Sequence, residues 1–282
     1  MREEDVQKQL KIGVAGCGRM GLPMAKAIKA GGFDVKGFDI RPNSEFGEFA
    51  PSMIEDINSL AAHSDVVLSI VRDITETDAL LFDEQALLSQ DQLPKILIIC
   101  STLSPKYIKG LRERVPKSVT LIDAPMSGAV IAAEEARLSF MLGGEDETLD
   151  ALTPLFQTMG SKLHRMGDYG AGMTAKVLNN FIAATSTVAV RQVLDWADEL
   201  EVDHDKLLSL MHDSSGQTWL GSHFHDIEFA VCGFEPDNTI GILKKDVESA
   251  LDAVSASPDE GLQQAIIQSI LVLKPYRSSQ DN

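Results

Sequence analysis

The chain has 282 residues, 44% hydrophobic and 24% charged, which suits one large domain or two ordinary ones. No run reaches the roughly 18 apolar residues that a membrane-spanning helix needs. Acidic residues outnumber basic ones 42 to 25, for a net charge of −17, and such an excess disfavours nonspecific binding to nucleic acid or anionic lipid. The three cysteines, Cys17, Cys100 and Cys232, are too sparse and scattered for a disulfide framework or a zinc site. The charged start, "MREEDVQKQLK", lacks the apolar stretch of a secretory signal. A reducing, cytoplasmic location is the expectation.

In chain order, "KIGVAG" (11–16) reads as a strand and residues 19–30 as a helix. "FDVKGFD" (33–39), "DVVLSIV" (65–71), "KILIIC" (95–100), "VTLIDAP" (119–125) and "RLSFMLGG" (137–144) are the next strands. Helical stretches lie between them, one predicted to open with the capping box Ser52-x-x-Glu55. Near-continuous apolar strands separated by helices imply a doubly wound parallel α/β sheet covered on both faces. After "GDYGAG" (167–172), a glycine-rich hinge, only helices follow, over 172–200, 204–213, 217–231, 239–255 and 259–273. The expected organisation is a Rossmann-type dinucleotide domain, 1–168, and an all-helical domain, 169–282. A long interdomain helix joins them, spanning roughly 43 Å at 1.5 Å per residue and expected to be buried along most of its length. "RSSQDN" reads as a frayed tail.

Two stretches carry chemistry. "GVAGCGRMG" places Gly16-x-Gly18-x-x-Gly21 between a strand and a helix. The first glycine permits a tight turn, the second lets the backbone approach a pyrophosphate, and the third lets helix pack on strand. The helix N-terminus presents N–H groups to phosphates. Asp39 closes the second strand, where a carboxylate accepts the ribose hydroxyls of NAD and repels the extra phosphate of NADP. Arg41 either stacks on adenine or binds that phosphate. NAD is the expected cofactor, with NADP as the alternative. Cys17, inside this loop, reads as a small loop residue and not as a redox sensor.

The second stretch is the start of the long helix. Lys176 and Asn180, four residues apart, share one face. A buried lysine without a task is costly; an ammonium there suits stabilising charge, and trading a proton, on an oxygen that converts between hydroxyl and carbonyl. The plain alternative is a lysine whose head reaches water. Asn179 is expected to point elsewhere and satisfy backbone. Upstream, Ser127-Gly128-Ala129 in "DAPMSGAV" offers a hydroxyl and closely spaced N–H groups that can cradle a carboxylate. His212, His223 and His225 lie near Asp213 and Asp226, but residues 223 and 225 face different ways on a helix, so no metal site is expected.

These pieces resemble, in order and along nearly the whole chain, the β-hydroxyacid dehydrogenase family, the 3-hydroxyisobutyrate dehydrogenase-like enzymes. The family's GxGxMG loop appears as Gly16 to Gly21, with Arg19 and Met20 inside it, and its Ser-Thr-x-Ser-Pro motif as "STLSP" (101–105). Its DAPVSGG segment appears as "DAPMSGAVIAAEEARL" (123–138), its GxGxxxKxxNN motif as "GAGMTAKVLNN" (170–180) and its Lys-Asp pair as Lys245-Asp246. The resemblance implies Lys176 as the catalytic lysine, and Ser127, Gly128, Ala129 and Asn180 as substrate ligands. On the cofactor side it implies Gly16, Gly18, Arg19, Met20, Gly21, Asp39, Arg41, Val71, Thr102 and Lys245. It further implies metal-free NAD(P)-dependent oxidation of a short 3-hydroxy acid, or reduction of its semialdehyde, by a dimer or tetramer formed through the helical domain.

The departures are Ala129, Ala132 and Ala136 where the family carries glycines, Arg137 for a threonine, and Val71-Arg72 for Leu-Pro. A relative of 6-phosphogluconate dehydrogenase would carry a histidine before the lysine and an acid after the asparagine; "MTAKVLNNFIAA" has neither. An imine reductase would replace Lys176. A non-enzymatic dinucleotide-binding scaffold would have no need of Lys176 and Asn180.

Overall fold

The computed structural model describes residues 10–254 and 261–277. The N-terminal lead-in up to residue 9, residues 255–260 and the tail from residue 278 lie outside the described residues. The chain divides into two compact units, one ending at Lys176 and one beginning at Val177.

The first unit is built on β1 (Lys11–Ala15), β2 (Asp34–Phe38), β3 (Val66–Ser69), β4 (Ile96–Ile99) and β5 (Thr120–Asp123), parallel in the order β2-β1-β3-β4-β5. Beyond β5 come β7 (Ser139–Gly143), antiparallel to β5 and to the two-residue β6 (Met126–Ser127), and β8 (Lys162–Gly167), parallel to β7. Alternate residues face opposite sides of the sheet. Ile12, Val14, Val66, Leu68, Ile98 and Ile122 enter one core with Met24 and Ile28 of α1 (Gly21–Ala30) and Leu149, Leu152 and Leu155 of α6 (Asp146–Gln157). Ala15, Val67, Leu97, Ile99 and Leu121 enter the other. There they meet α2 (Ile57–His63), α3 (Ile74–Leu81) and α4 (Pro105–Arg114) through Leu60, Leu80, Leu81, Ile108 and Leu111. Both faces are covered, as the apolar strands predict.

Several local expectations are corrected. Ser52 does not begin a helix: it ends a 3-10 stretch and its hydroxyl accepts from Lys29 Nζ at 2.6 Å. The cap of α2 is Asp56, which accepts from Ser59 N at 2.8 Å. At α3, Asp73 caps by accepting from Glu76 N at 2.9 Å, and the Glu76 carboxylate accepts from Arg72 N, one residue before the cap, at 2.8 Å. β8 had no counterpart in the sequence reading; its residues are nearly all exposed, so it lacks the apolar alternation that marks a strand.

The second unit takes in most of α7 (Ala171–Glu199), with α8 (His204–His212), α9 (Trp219–Ser222), α10 (Thr239–Ala253) and α11 (Gly261–Leu271). The expected burial of most of α7 is not observed. One stripe is buried, through Val177, Asn180, Ala184, Thr187, Arg191 and Leu194, while Leu178, Ile182 and Trp196 are exposed. The single helix expected over 217–231 is also absent. Thr218 caps one turn, accepting from Gly221 N at 3.0 Å. The chain then proceeds by tight turns such as Ala230 N→Ile227 O and Cys232 N→Phe229 O. Buried Arg191 stabilises those turns. Its guanidinium donates to the carbonyls of Ala230 at 2.8 Å and Cys232 at 2.9 Å, and to that of Lys274.

Candidate active site

In a doubly wound sheet, ligands bind beyond the carboxyl ends of the strands, where the strand order reverses. Here the reversal lies between β1 and β3, and the cofactor residues expected in the first unit follow β1, β2, β3 and β4 in turn. Gly16, just after β1, has φ +93°, and a Cβ there would stand 2.4 Å from Ile70 O. Gly21 begins α1, and its Cβ would stand 1.9 Å from Gly16 O. Gly18, between them, has nothing within 4 Å of a Cβ position. Turn, open approach and close packing thus fall on the three glycines as expected. α1 has no side-chain cap and no acidic residue in its first turn, so its N-terminal dipole is left for a ligand's negative charge. These features fit a dinucleotide pyrophosphate. Arg19 is exposed beside the turn, and Met20 packs against the core.

After β2, Asp39 and Arg41 are bound to each other. Arg41 Nε donates to Asp39 Oδ1 at 3.0 Å and another guanidinium nitrogen donates to Cys17 O at 2.9 Å. The guanidinium lies 4.8 Å from the Phe46 ring centroid. This brace ties the β2 loop to the glycine turn and raises the guanidinium's pKa, chiefly through the Asp39 bond. Cys17 is fully buried, and desolvation with the nearby Asp39 carboxylate pushes its thiol up to about 12. A thiol that stays protonated at neutral pH is a poor redox sensor.

Val71 follows β3 and its N–H donates to Ser101 Oγ at 3.1 Å. That bond joins the β3 loop to the β4 loop, where Thr102 is half-buried. Arg72, next along, is exposed and ion-paired to Glu76 at 2.5 Å. The β4 loop ends at Ser104, which caps α4 ahead of Pro105 by accepting from Lys106 N at 3.2 Å.

After β5, Ser127 closes β6, and Gly128 (φ +139°) leads into α5 (Ala129–Glu134). A Cβ on Gly128 would meet the Ala132 methyl at 2.4 Å. Ala129 has φ +60° and Ala136 has φ +52°. Two of the three alanines that replace family glycines, Ala129 and Ala136, therefore keep the left-handed backbone glycine would favour; Ala132 does not. Arg137 pairs with Glu135 at the surface.

Lys176 is buried, at 7% exposure, which removes the alternative of a head group held out in water. One turn earlier, Met173 Sδ accepts from Leu103 N at 3.3 Å, holding α7 to the β4 loop. Asn180, also buried, donates to Asp246 Oδ2 at 2.6 Å and accepts from Asn179 Nδ2 at 3.3 Å. Asn179 is exposed, and this side-chain bond takes the place of the backbone bond expected of it. Lys245 Nζ lies 3.3 Å from Asp246 Oδ1. Asn180, Lys245 and Asp246 thus form one cluster in the second unit.

Two buried acids went unassigned in the sequence. Asp246 orients Asn180; its signal was an acid at a buried position of an amphipathic helix. Asp123 ends β5, fully buried. It accepts from Gly170 N at 2.6 Å and Met173 N at 2.5 Å. Burial pushes its carboxyl up to about 6, against the downward pull of those N–H groups. Its signal was a lone charge closing the apolar run "VTLID". His225 pairs with Asp205 at 3.0 Å, and His223 lies 3.8 Å from Asp226, so the two histidines address different carboxylates.

Comparison with known proteins covers both units of the chain. Residues 11–167 match the family model described as the NAD binding domain of 6-phosphogluconate dehydrogenase. Residues 170–267 match the one described as NAD-binding of NADP-dependent 3-hydroxyisobutyrate dehydrogenase. The mitochondrial 3-hydroxyisobutyrate dehydrogenase of Drosophila melanogaster is 30% identical over 87% of this chain and 78% of its own. The L-threonate dehydrogenase of Cupriavidus necator is 26% identical over 87% of this chain and 84% of its own. The structure of Mycobacterium tuberculosis 3-hydroxyisobutyrate dehydrogenase with L-serine superposes with a TM-score of 0.74, at 25% identity and 92% coverage of both chains. Because the likeness runs on from the glycine turn through the lysine helix into the helical unit, the chain belongs to the β-hydroxyacid dehydrogenase family, NAD(P)-dependent oxidoreductases of hydroxy acids.

Proposed function

We propose that this enzyme interconverts a short 3-hydroxy carboxylic acid and its semialdehyde, with Lys176 as the proton-handling residue. The observation that carries the reading is the burial of Lys176 one turn beyond a helix start bonded to β5 and to the β4 loop. NAD(P), when bound, supplies the hydride acceptor or donor. Gly16, Gly18, Arg19, Met20 and Gly21 hold the pyrophosphate, Asp39 and Arg41 the adenosine end, and Val71 and Thr102 the nicotinamide side; Lys245 is assigned there by resemblance. Ser127, Gly128 and Ala129 cradle the substrate carboxylate. Lys176 Nζ binds the substrate hydroxyl oxygen; as the neutral amine it takes the hydroxyl proton on oxidation, and as the ammonium it returns one on reduction. Asn180, a turn further along α7, holds the same oxygen. We assign residues 1–168 to cofactor binding and 169–282 to substrate binding and assembly.

NAD is the preferred form, because both Asp39 oxygens face a cation already bound to the loop and a 2′-phosphate would have to displace one or the other. The exposed Ile182, Trp196 and Leu200 of the helical unit support a homodimer or homotetramer. The three unpaired cysteines support a cytoplasmic setting.

The test is a turnover screen of 3-hydroxyisobutyrate, L-serine, glycerate, 3-hydroxypropionate and L-threonate with each cofactor. NAD is expected to exceed NADP in kcat/KM; the reverse order would overturn that assignment. Lys176→Ala is expected to lower kcat by about a thousandfold or more and to leave NAD affinity within about twofold. Unchanged kcat would remove Lys176 from the chemistry.

A further inference from the structure

Asp123 is the most deeply buried acid near the lysine helix, and the mechanism above does not use it. Its two oxygens are divided between two donors: Oδ1 accepts from Gly170 N at 2.6 Å and Oδ2 from Met173 N at 2.5 Å. These are donors at the start of α7, where N–H groups have no partner within their own helix. A helix normally supplies its own cap from the preceding residue. Here the cap comes from a strand 47 positions earlier in the chain.

The surroundings are shaped for that carboxylate. A Cβ on Gly143 of β7 would stand 2.2 Å from Asp123 Oδ1, and one on Gly172 would stand 3.0 Å from Oδ2 and 2.3 Å from Met141 O. Gly170 has φ +94°, which turns its N–H toward the acid without side-chain strain. The glycines of "GAG" therefore answer to Asp123: one aims a donor and the other leaves room. Tyr169, whose hydroxyl is buried, is the neighbouring titratable group, and burial followed by the Asp123 charge raises its pKa.

Two features of the reaction start from this point. Four residues beyond Asp123 lies Ser127, at the turn assigned to the substrate carboxylate. Three residues beyond Met173, one helical turn away, lies Lys176. We propose that Asp123 is a positioning residue for the dehydrogenase: by capping α7 from β5, it sets the lysine nitrogen at a fixed distance from the substrate-carboxylate turn. The assignment rests on the reading of Lys176 above. Only an ionised carboxylate can accept from both N–H groups with separate oxygens. An amide offers one oxygen and turns its NH2 toward the remaining donor, and a glutamate is too long for the space that Gly143 and Gly172 leave.

The test is Asp123→Asn, assayed on whichever hydroxy acid of the panel above has the highest kcat/KM. Expected are a kcat lower by about 30-fold or more, KM for NAD within about twofold, and at least tenfold faster hydrogen exchange of the Gly170 or Met173 amide in the cofactor-free protein. Because Asp123 acts through Lys176, the double variant Asp123→Asn/Lys176→Ala is expected to match Lys176→Ala alone within about twofold. Multiplying losses in the double variant, or full kcat in Asp123→Asn, would overturn the proposal while leaving Lys176 in place. Full kcat in Lys176→Ala would instead defeat the reading on which the proposal rests. Asp123→Ser, which keeps one acceptor in a smaller volume, serves if the asparagine variant is insoluble. Failure of both to fold would reduce Asp123 to a purely structural group.

Discussion

The glycine turn after β1 and the turn that opens α5 solve similar problems by different means. In the first, the left-handed position is a glycine, Gly16, and the close approach is another, Gly21. In the second, Gly128 stands next to Ala129 at φ +60°, and α5 is followed by Ala136 at φ +52°. An alanine in that region costs about 1 kcal/mol that a glycine does not. The glycine turn after β1 is relaxed, and the turn proposed for the substrate carboxylate holds strain. Strain of this kind persists where surrounding structure over-determines the backbone. Here Ala132 fills the space under Gly128 and bonds such as Arg137 N→Ala132 O secure the end of α5. The cofactor is common to a family, whereas the substrate varies among its members. The Ala129 methyl stands at the turn proposed to hold the substrate carboxylate, where selectivity would be set.

This contrast can be broken at its relaxed end first. Gly21→Ala is expected to cost about 3 kcal/mol or more, because the added methyl meets a backbone oxygen that cannot step aside. A melting temperature within 2 °C of the parent, by the approximation that 1 kcal/mol shifts a domain of this size by about 2–4 °C, would show that the turn is not tight. Gly18→Ala separates binding from folding. Its methyl enters open space, so thermal stability should hold while NAD affinity, measured by calorimetry, falls about tenfold or more. Retained affinity would move the pyrophosphate away from this loop. At the strained end the effects are smaller and of opposite sign. Ala136→Gly and Ala129→Gly are each expected to stabilise by up to about 1 kcal/mol in chemical denaturation. Only Ala129→Gly is expected to change the ranking of hydroxy acids by kcat/KM as well. Destabilisation by both would mean that the methyls contribute more packing than the backbone loses in strain.

Much of this was legible in the sequence because it depends on local rules. Apolar strands, a glycine turn between strand and helix, and an acid at the end of β2 can be read without coordinates. The lysine helix could be placed for the same reason, and its ends were read to within a residue. Its burial could not, since Leu178, Ile182 and Trp196 read as core on hydrophobicity alone yet stand exposed. β8 escaped because an edge strand with an exposed backbone needs no apolar period. The 217–231 segment misled because Leu220, Phe224, Ile227 and Val231 fall at helical spacing, while buried Arg191 collects its carbonyls into turns. The partnerships of Asp123 with Gly170 and of Asn180 with Asp246 join residues 47 and 66 positions apart. Nothing local encodes them; they appear only once the strands and helices are stacked.

The carboxylate between β5 and α7 has a practical consequence for anyone redesigning this enzyme. Residues 123, 143, 170 and 172 behave as one inseparable module, although three stretches of chain supply them. Grafting a foreign β5 without its matching glycines, or filling Gly143 or Gly172 to stiffen the segment, would collide with an oxygen atom instead of rigidifying a loop, and filling Gly170 would strain a backbone at φ +94°. Shuffling libraries should therefore keep all four from a single parent.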